Sequence, residues 1–129
     1  MTKAENDLLA GRRILEGGMP ESYDTVSFHA QQAAEKALKA LLVRHQAAPR
    51  KGHNLAELLE LAESVEPRTR EALGGIGELT PYAVEARYPA GLPNVDRDEA
   101  ARHVALADAV VVHVRSRLAP YLDAGRPSG

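Results

Sequence analysis

One long segment, residues 20–46, constrains the chain more than anything else in it. Tyr23, Val26, Ala30, Ala33, Ala34, Ala37, Leu38 and Leu41 recur at three- and four-residue spacings. That is the signature of one buried face of a helix. A second face carries Phe28, Gln32, Glu35, Lys39 and Leu42. A helix with apolar anchors on more than one side is either the central helix of a bundle or one shared with a partner chain. The anchors are largely Ala, so whatever packs here packs closely.

Composition agrees with a helical core built from small and aliphatic side chains. Of 129 residues, 44% are hydrophobic but only 4% aromatic, with no Trp and one Phe. This length fits one domain. The absence of Cys excludes a disulfide scaffold, a Cys-based zinc site and a thiol nucleophile. The net charge of −2 argues against a non-specific nucleic-acid coat. No apolar run approaches the roughly 20 residues that span a bilayer. The charged start, Met1 to Asp7, does not read as a signal peptide. The expectation is a cytoplasmic protein that does not engage a membrane.

Other helices follow from start and stop signals. Thr2 with Glu5 reads as a capping box opening a first helix over 3–16, which carries Leu8, Leu9, Arg12 and Leu15 and is stopped by Gly17-Gly18. Residues 47–52 form a loop broken by Pro49 and Gly52. Asn54 reads as the N-cap of a third helix, 54–64, burying Leu55, Leu58, Leu59 and Ala62. A fourth helix, 67–85, is weakened by Gly74-Gly75 and Gly77, with a kink or fresh start at Pro81. Residues 87–94 form a loop. Asp96 with Glu99 caps a last helix over 97–119, with Val104, Ala107, Val111, Val114 and Leu118 on its buried stripe. Val110-Val111-Val112 is β-prone by type, but its flanks keep the helical period. The organisation expected is one domain, 1–122, and a disordered tail, 123–129.

The run Phe28-His29-Ala30-Gln31-Gln32-Ala33-Ala34-Glu35-Lys36-Ala37-Leu38-Lys39-Ala40-Leu41-Leu42 resembles the second helix of the HEPN family of small helical proteins. The resemblance continues at Asp7-Leu8, His53-Asn54-Leu55, Ala86-Arg87-Tyr88-Pro89 and Glu99-Ala100-Ala101, over about residues 3–120. It implies an all-α, antiparallel up-and-down bundle of four or five helices, usually a homodimer or higher homo-oligomer. It also implies links to nucleotides. Many members pair with a minimal nucleotidyltransferase as toxin–antitoxin components. Others are metal-independent RNases that use an Arg and a His four to six residues apart at a dimer cleft.

Such an RNase needs a base, an acid and a cation for the phosphorane charge, roles that suit His and Arg. After Arg87 the required distance holds only Leu92, Pro93 and Asn94. Arg97 and His103 do satisfy the count. Six positions along a helix turn it by about 600°, so the two sit about 120° apart unless Arg97 lies in the cap. The other reading makes Arg97 a solvated first-turn residue and His103 a surface or interface histidine.

Ligand binding has its own candidates. Lys51 and His53, at the start of the third helix, can hold a phosphate, with His29 and Arg87 around it. Tyr82 and Tyr88 can stack on a base, and Arg87 can pair with phosphate. The competing readings make His53 a cap, His29 a cross-bundle hydrogen bonder, and Tyr82 and Tyr88 plugs at the bundle's end. Gly74-Gly75-Ile76-Gly77 lacks the Lys-Ser or Lys-Thr of a phosphate loop. The spacing of His45, His103 and His113 does not suit zinc. No cofactor is expected. Three functions stay open. One is a non-catalytic module binding an adenine nucleotide or a nucleotidyltransferase. The others are an RNase using Arg97 and His103 or a cluster of His29, His53 and Arg87, and a purely structural oligomerisation domain with helix two's second face as its interface; a homodimer through helix two and the Arg87 loop is expected.

Overall fold

A computed structural model describes residues 1–18, 22–47, 54–83 and 95–124. Its elements are α1 (Thr2–Gly17), α2 (Tyr23–Arg44), α3 (Leu55–Val65), α4 (Thr69–Leu73), a 3₁₀ segment (Gly74–Tyr82) and α5 (Arg97–Ala124). The chain is an all-α bundle.

Local chemistry explains most of the boundaries. Gly18 ends α1 in the left-handed region at φ 70°, its N–H returning to the Leu15 carbonyl, a conformation glycine adopts without a Cβ clash. Asn54 accepts a hydrogen bond from the Glu57 N–H at 2.9 Å, and Asp96 accepts one from Glu99 N–H at 2.8 Å. Both caps stand where the sequence puts them. The start of α1 differs. Met1 is the N-cap and no side chain caps the helix, so Thr2 is already helical. The expected box is absent because with Met1 as N-cap the third helical position is Ala4, and Glu5 pairs with Arg115 of α5, 2.7 Å away.

The fourth helix is also revised. Only Thr69–Leu73 is α-helical, and the three glycines and Pro81 fall in nine residues of 3₁₀ turn. The last helix passes Pro120 and reaches Ala124, so Asp123 belongs to it rather than to the tail. Residues 125–129 lie outside the described residues.

Contacts between helices set their directions. Glu5 pairs with Arg115 and Arg12 with Asp108, so α1 runs antiparallel to α5. Asp7 meets Lys36 while Gly11 lies against Val26 and His29, so α1 is antiparallel to α2 as well. Consequently α2 and α5 run in the same direction, joined at Asp24–Val95 and Ser27–His103. The 3₁₀ segment returns along α5.

Helix α2 is the centre. It packs on α1, α3, α5 and the 3₁₀ segment. Every residue of its first face is buried, and Leu42 of its second face is fully buried too. The first face is consumed within the chain, as is Leu42 of the second, while Phe28 of the second face is only half-buried. Among the described residues α2 keeps one exposed large hydrophobic, Val43. Ala30, Ala33, Ala34 and Ala37 are at most 1% exposed, so small side chains stand where α2 meets its neighbours. Val110 and Val111 are buried in α5.

Candidate functional site

A polar cluster forms where the second turns of α2 and α5 meet the end of the 3₁₀ segment. Ser27 is fully buried on α2 and His103 is 1% exposed on α5, yet both are polar. They satisfy each other: Ser27 Oγ lies 2.7 Å from His103 Nδ1. The Tyr82 ring packs on the imidazole at a centroid distance of 4.8 Å. On the other side, Glu78 Oε2 stands 3.8 Å from His103 Nε2. Arg102 grips the same carboxylate with two hydrogen bonds of 2.9 Å.

Electrostatics give the cluster a definite protonation. Burial pushes the His103 pKa down, the Glu78 carboxylate pulls it partly back, and Arg102 pushes it down again. The Arg102 fork holds Glu78 below the usual carboxylate range. Burial, with Glu99, Asp24 and Glu78 nearby, raises the Tyr82 phenol. A neutral imidazole has one donor and one acceptor. The proton belongs on Nε2, facing the Glu78 carboxylate, with Ser27 Oγ–H donating to Nδ1.

A second cluster ties α1 to α2. Asp7 Oδ1 accepts from His29 Nδ1 at 3.0 Å and its other oxygen takes Lys36 Nζ. His29 therefore hydrogen-bonds across the bundle. Next to it, Met1, Lys3, Lys36, Lys39 and Val43 line a groove of about 540 Å³ beside the N-terminus of α1.

The sequence candidates separate in three ways. Tyr82 and His103 come together. Arg97 and His103 do not: Arg97 is exposed at the first turn of α5 while His103 points into the core. His29 belongs to the Asp7 cluster. Lys51, His53, Arg87 and Tyr88 lie outside the described residues. His103 is neither a surface nor an interface residue, because it continues the buried stripe of Ala100, Ala107 and Val114. That spacing was readable. Its partner Ser27 was not, because a serine inside a long helix carries no pairing signal across 76 positions. Sequence reasoning also missed Asp24, whose carboxylate accepts the Val95 N–H at 3.1 Å and fixes the approach to α5.

No curated protein matches the chain, and no solved structure matches it. The sequence model of the HEPN domain matches residues 1–117, which takes in α1 to α4, the 3₁₀ segment and most of α5. With a match over nearly the whole chain, the protein belongs to the HEPN domain family.

Proposed function

We propose that this HEPN domain is a non-catalytic binding module that takes a nucleotide, pairs with a minimal nucleotidyltransferase, or does both as a toxin–antitoxin-type component. The observation that carries the reading is the closure of His103. Arg97 and His103 are the pair whose spacing suits the RNase members. Here the imidazole is 1% exposed, with Nδ1 held by Ser27 and Nε2 facing Glu78. A general base must come within hydrogen-bond reach of the ribose hydroxyl it deprotonates. His103 has no open nitrogen to offer. Ser27 is equally closed, so the Ser–His–Glu sequence of contacts holds no reachable nucleophile.

Binding asks less of the scaffold than catalysis does. A phosphate needs cations and N–H donors at a surface. The Lys3, Lys36 and Lys39 groove at the N-terminus of α1 supplies both kinds.

The test combines a ribonuclease assay with affinity capture. Purified protein and its Arg97→Ala variant are incubated with RNA, melted with and without ATP, and captured from the native host with mass spectrometry of bound protein and nucleotide. The expected result is no cleavage, with either a higher melting temperature in ATP or a retained nucleotidyltransferase. Cleavage that Arg97→Ala abolishes would establish the RNase reading instead. Recovery of neither nucleotide nor partner, with no ATP shift, would leave an oligomerisation domain.

A further inference from the structure

Among the buried residues described, His103 is the one that titrates near neutral pH, and the binding reading leaves it without a task. The 3₁₀ segment helps to close it off from water. Tyr82 lies on the ring at 4.8 Å, and Glu78 stands 3.8 Å from Nε2. Ser27 holds Nδ1 from the α2 side. The imidazole is thus enclosed between the segment and the two longest helices.

The segment is lightly held for a cover. Ile76 and Leu79 anchor it in the core. Its polar ties are exposed: the Glu78–Arg102 fork, and the 3.4 Å bond from Gln32 Nε2 to the Ala83 carbonyl just past its end. A Cβ at Gly74 or Gly77 would meet nothing within 4 Å, so packing in the closed state does not call for glycine at either position. What glycine gives there is backbone freedom to leave the 3₁₀ conformation.

The charged groups around His103 come from three elements. The segment brings Glu78 and Tyr82. Helix α5 brings Arg102, with Glu99 one turn earlier, and α2 brings Ser27, with Asp24 about one turn earlier. Glu78 favours a charged ring and Arg102 opposes it. Both Glu78 oxygens are already taken by Arg102, and Asp24 is occupied by the Val95 N–H. Glu99 and Asp24 act on the Tyr82 phenol. Burial then decides, and it keeps the enclosed ring neutral.

We propose that the 3₁₀ segment is an acid-released cover: a proton on His103 favours the state in which Glu78 and Tyr82 have lifted away and the ring meets water. The uncovered ring takes its proton near the ordinary histidine value, about 6.5. A proton that binds the open state better than the closed one draws the population toward the open state as pH falls. A single proton limits the effect to about tenfold per pH unit. The device needs no nucleotide and stands apart from the binding reading.

Native-state hydrogen exchange on the full chain tests it, with rates corrected for the intrinsic pH dependence of exchange. The open fraction of residues 74–82 is expected to rise about tenfold from about pH 7.5 to about pH 5.5. His103→Phe covers the same site with a ring that takes no proton, and should show no rise. Glu78→Gln should open more at both pH values and keep the rise, which separates the imidazole from the carboxylate. The ¹⁵N shifts of the wild-type imidazole give a reading that needs no variant. His103 should stay neutral at about pH 6, where a solvated histidine is mostly charged. A ring that titrates at the ordinary value overturns the proposal. So does a segment that exchanges only with the whole bundle, an open fraction that ignores pH, or a rise that survives in His103→Phe or vanishes in Glu78→Gln.

Discussion

His103 and Ser27 are two polar side chains removed from water together, so each is costly without the other. His103→Ala is expected to destabilise the protein by about 2–4 kcal/mol, from the lost ring and the cavity it leaves. His103→Phe fills the site with a slightly larger ring and leaves no cavity, and Ser27 can then turn its hydroxyl to a carbonyl one turn back in α2. That variant should lose about half as much, measured by urea unfolding. The lowered pKa adds a pH signature. The folded protein resists protonating His103 and, through burial, His113. The unfolded chain takes those protons near pH 6.5. Stability is therefore fully present above about pH 6.5 and is lost progressively as pH falls below it. Urea midpoints should drop as the solution is acidified below neutrality, less steeply in His103→Phe. An identical slope in both proteins would remove His103 from the account. His113 retains its share in both proteins, because burial and the nearby Arg117 lower its pKa whatever stands at 103.

Helix termini and glycines govern the elements. Asn54 caps α3 with one side-chain bond, and Asn54→Ala should cost about 1 kcal/mol. Gly11 behaves in the opposite sense. It is buried inside α1, and a Cβ there would meet His29 Cβ at 3.5 Å, the Val26 carbonyl at 3.6 Å and Val104 at 3.9 Å, all ordinary contacts. Gly11→Ala should therefore stabilise by about 0.5–1 kcal/mol, read from a denaturant midpoint. A destabilised variant would mean that α1 sits closer to α2 than this packing allows. These positions also show what the sequence can disclose. The faces of α2, α3 and α5 were legible because helical period and burial are the same signal. Asn54 and Asp96 were legible because a cap acts within four residues. Thr2 misled because the helix starts one residue earlier, with Met1 as its N-cap, which puts Thr2 and Glu5 out of the box register. Pro120 misled because near a helix end its missing N–H removes one bond and need not end the helix. For the same reason the Arg97 and His103 pair looked plausible by count, while only the fold shows which of them faces inward.

The whole bundle hangs on α2, and its stability should be distributed accordingly. Among the described residues several surface charges are held in pairs, such as Glu35–Lys39, Glu60–Arg70 and Glu78–Arg102. Exposed pairs contribute little each. The free energy must come mainly from the aliphatic core, which includes Leu38, Leu41, Leu42, Leu58 and Leu79. Four elements cover α2, so exposing its buried face means displacing several of them at once. The α4 and 3₁₀ stretch is shorter, less regular and rich in glycine, and it can open while α1, α2 and α5 remain packed. Native-state hydrogen exchange reads such differences as separate opening free energies. The amides of residues 30–42 should exchange only by global unfolding, at the free energy given by denaturant melts. Those of 74–82 should exchange at a lower free energy that denaturant barely changes, since local opening exposes little surface. Equal protection in the two regions would make the bundle a single cooperative unit. Tyr82 would then be locked to the core through His103, and the polar cluster would be as rigid as the aliphatic one beneath it.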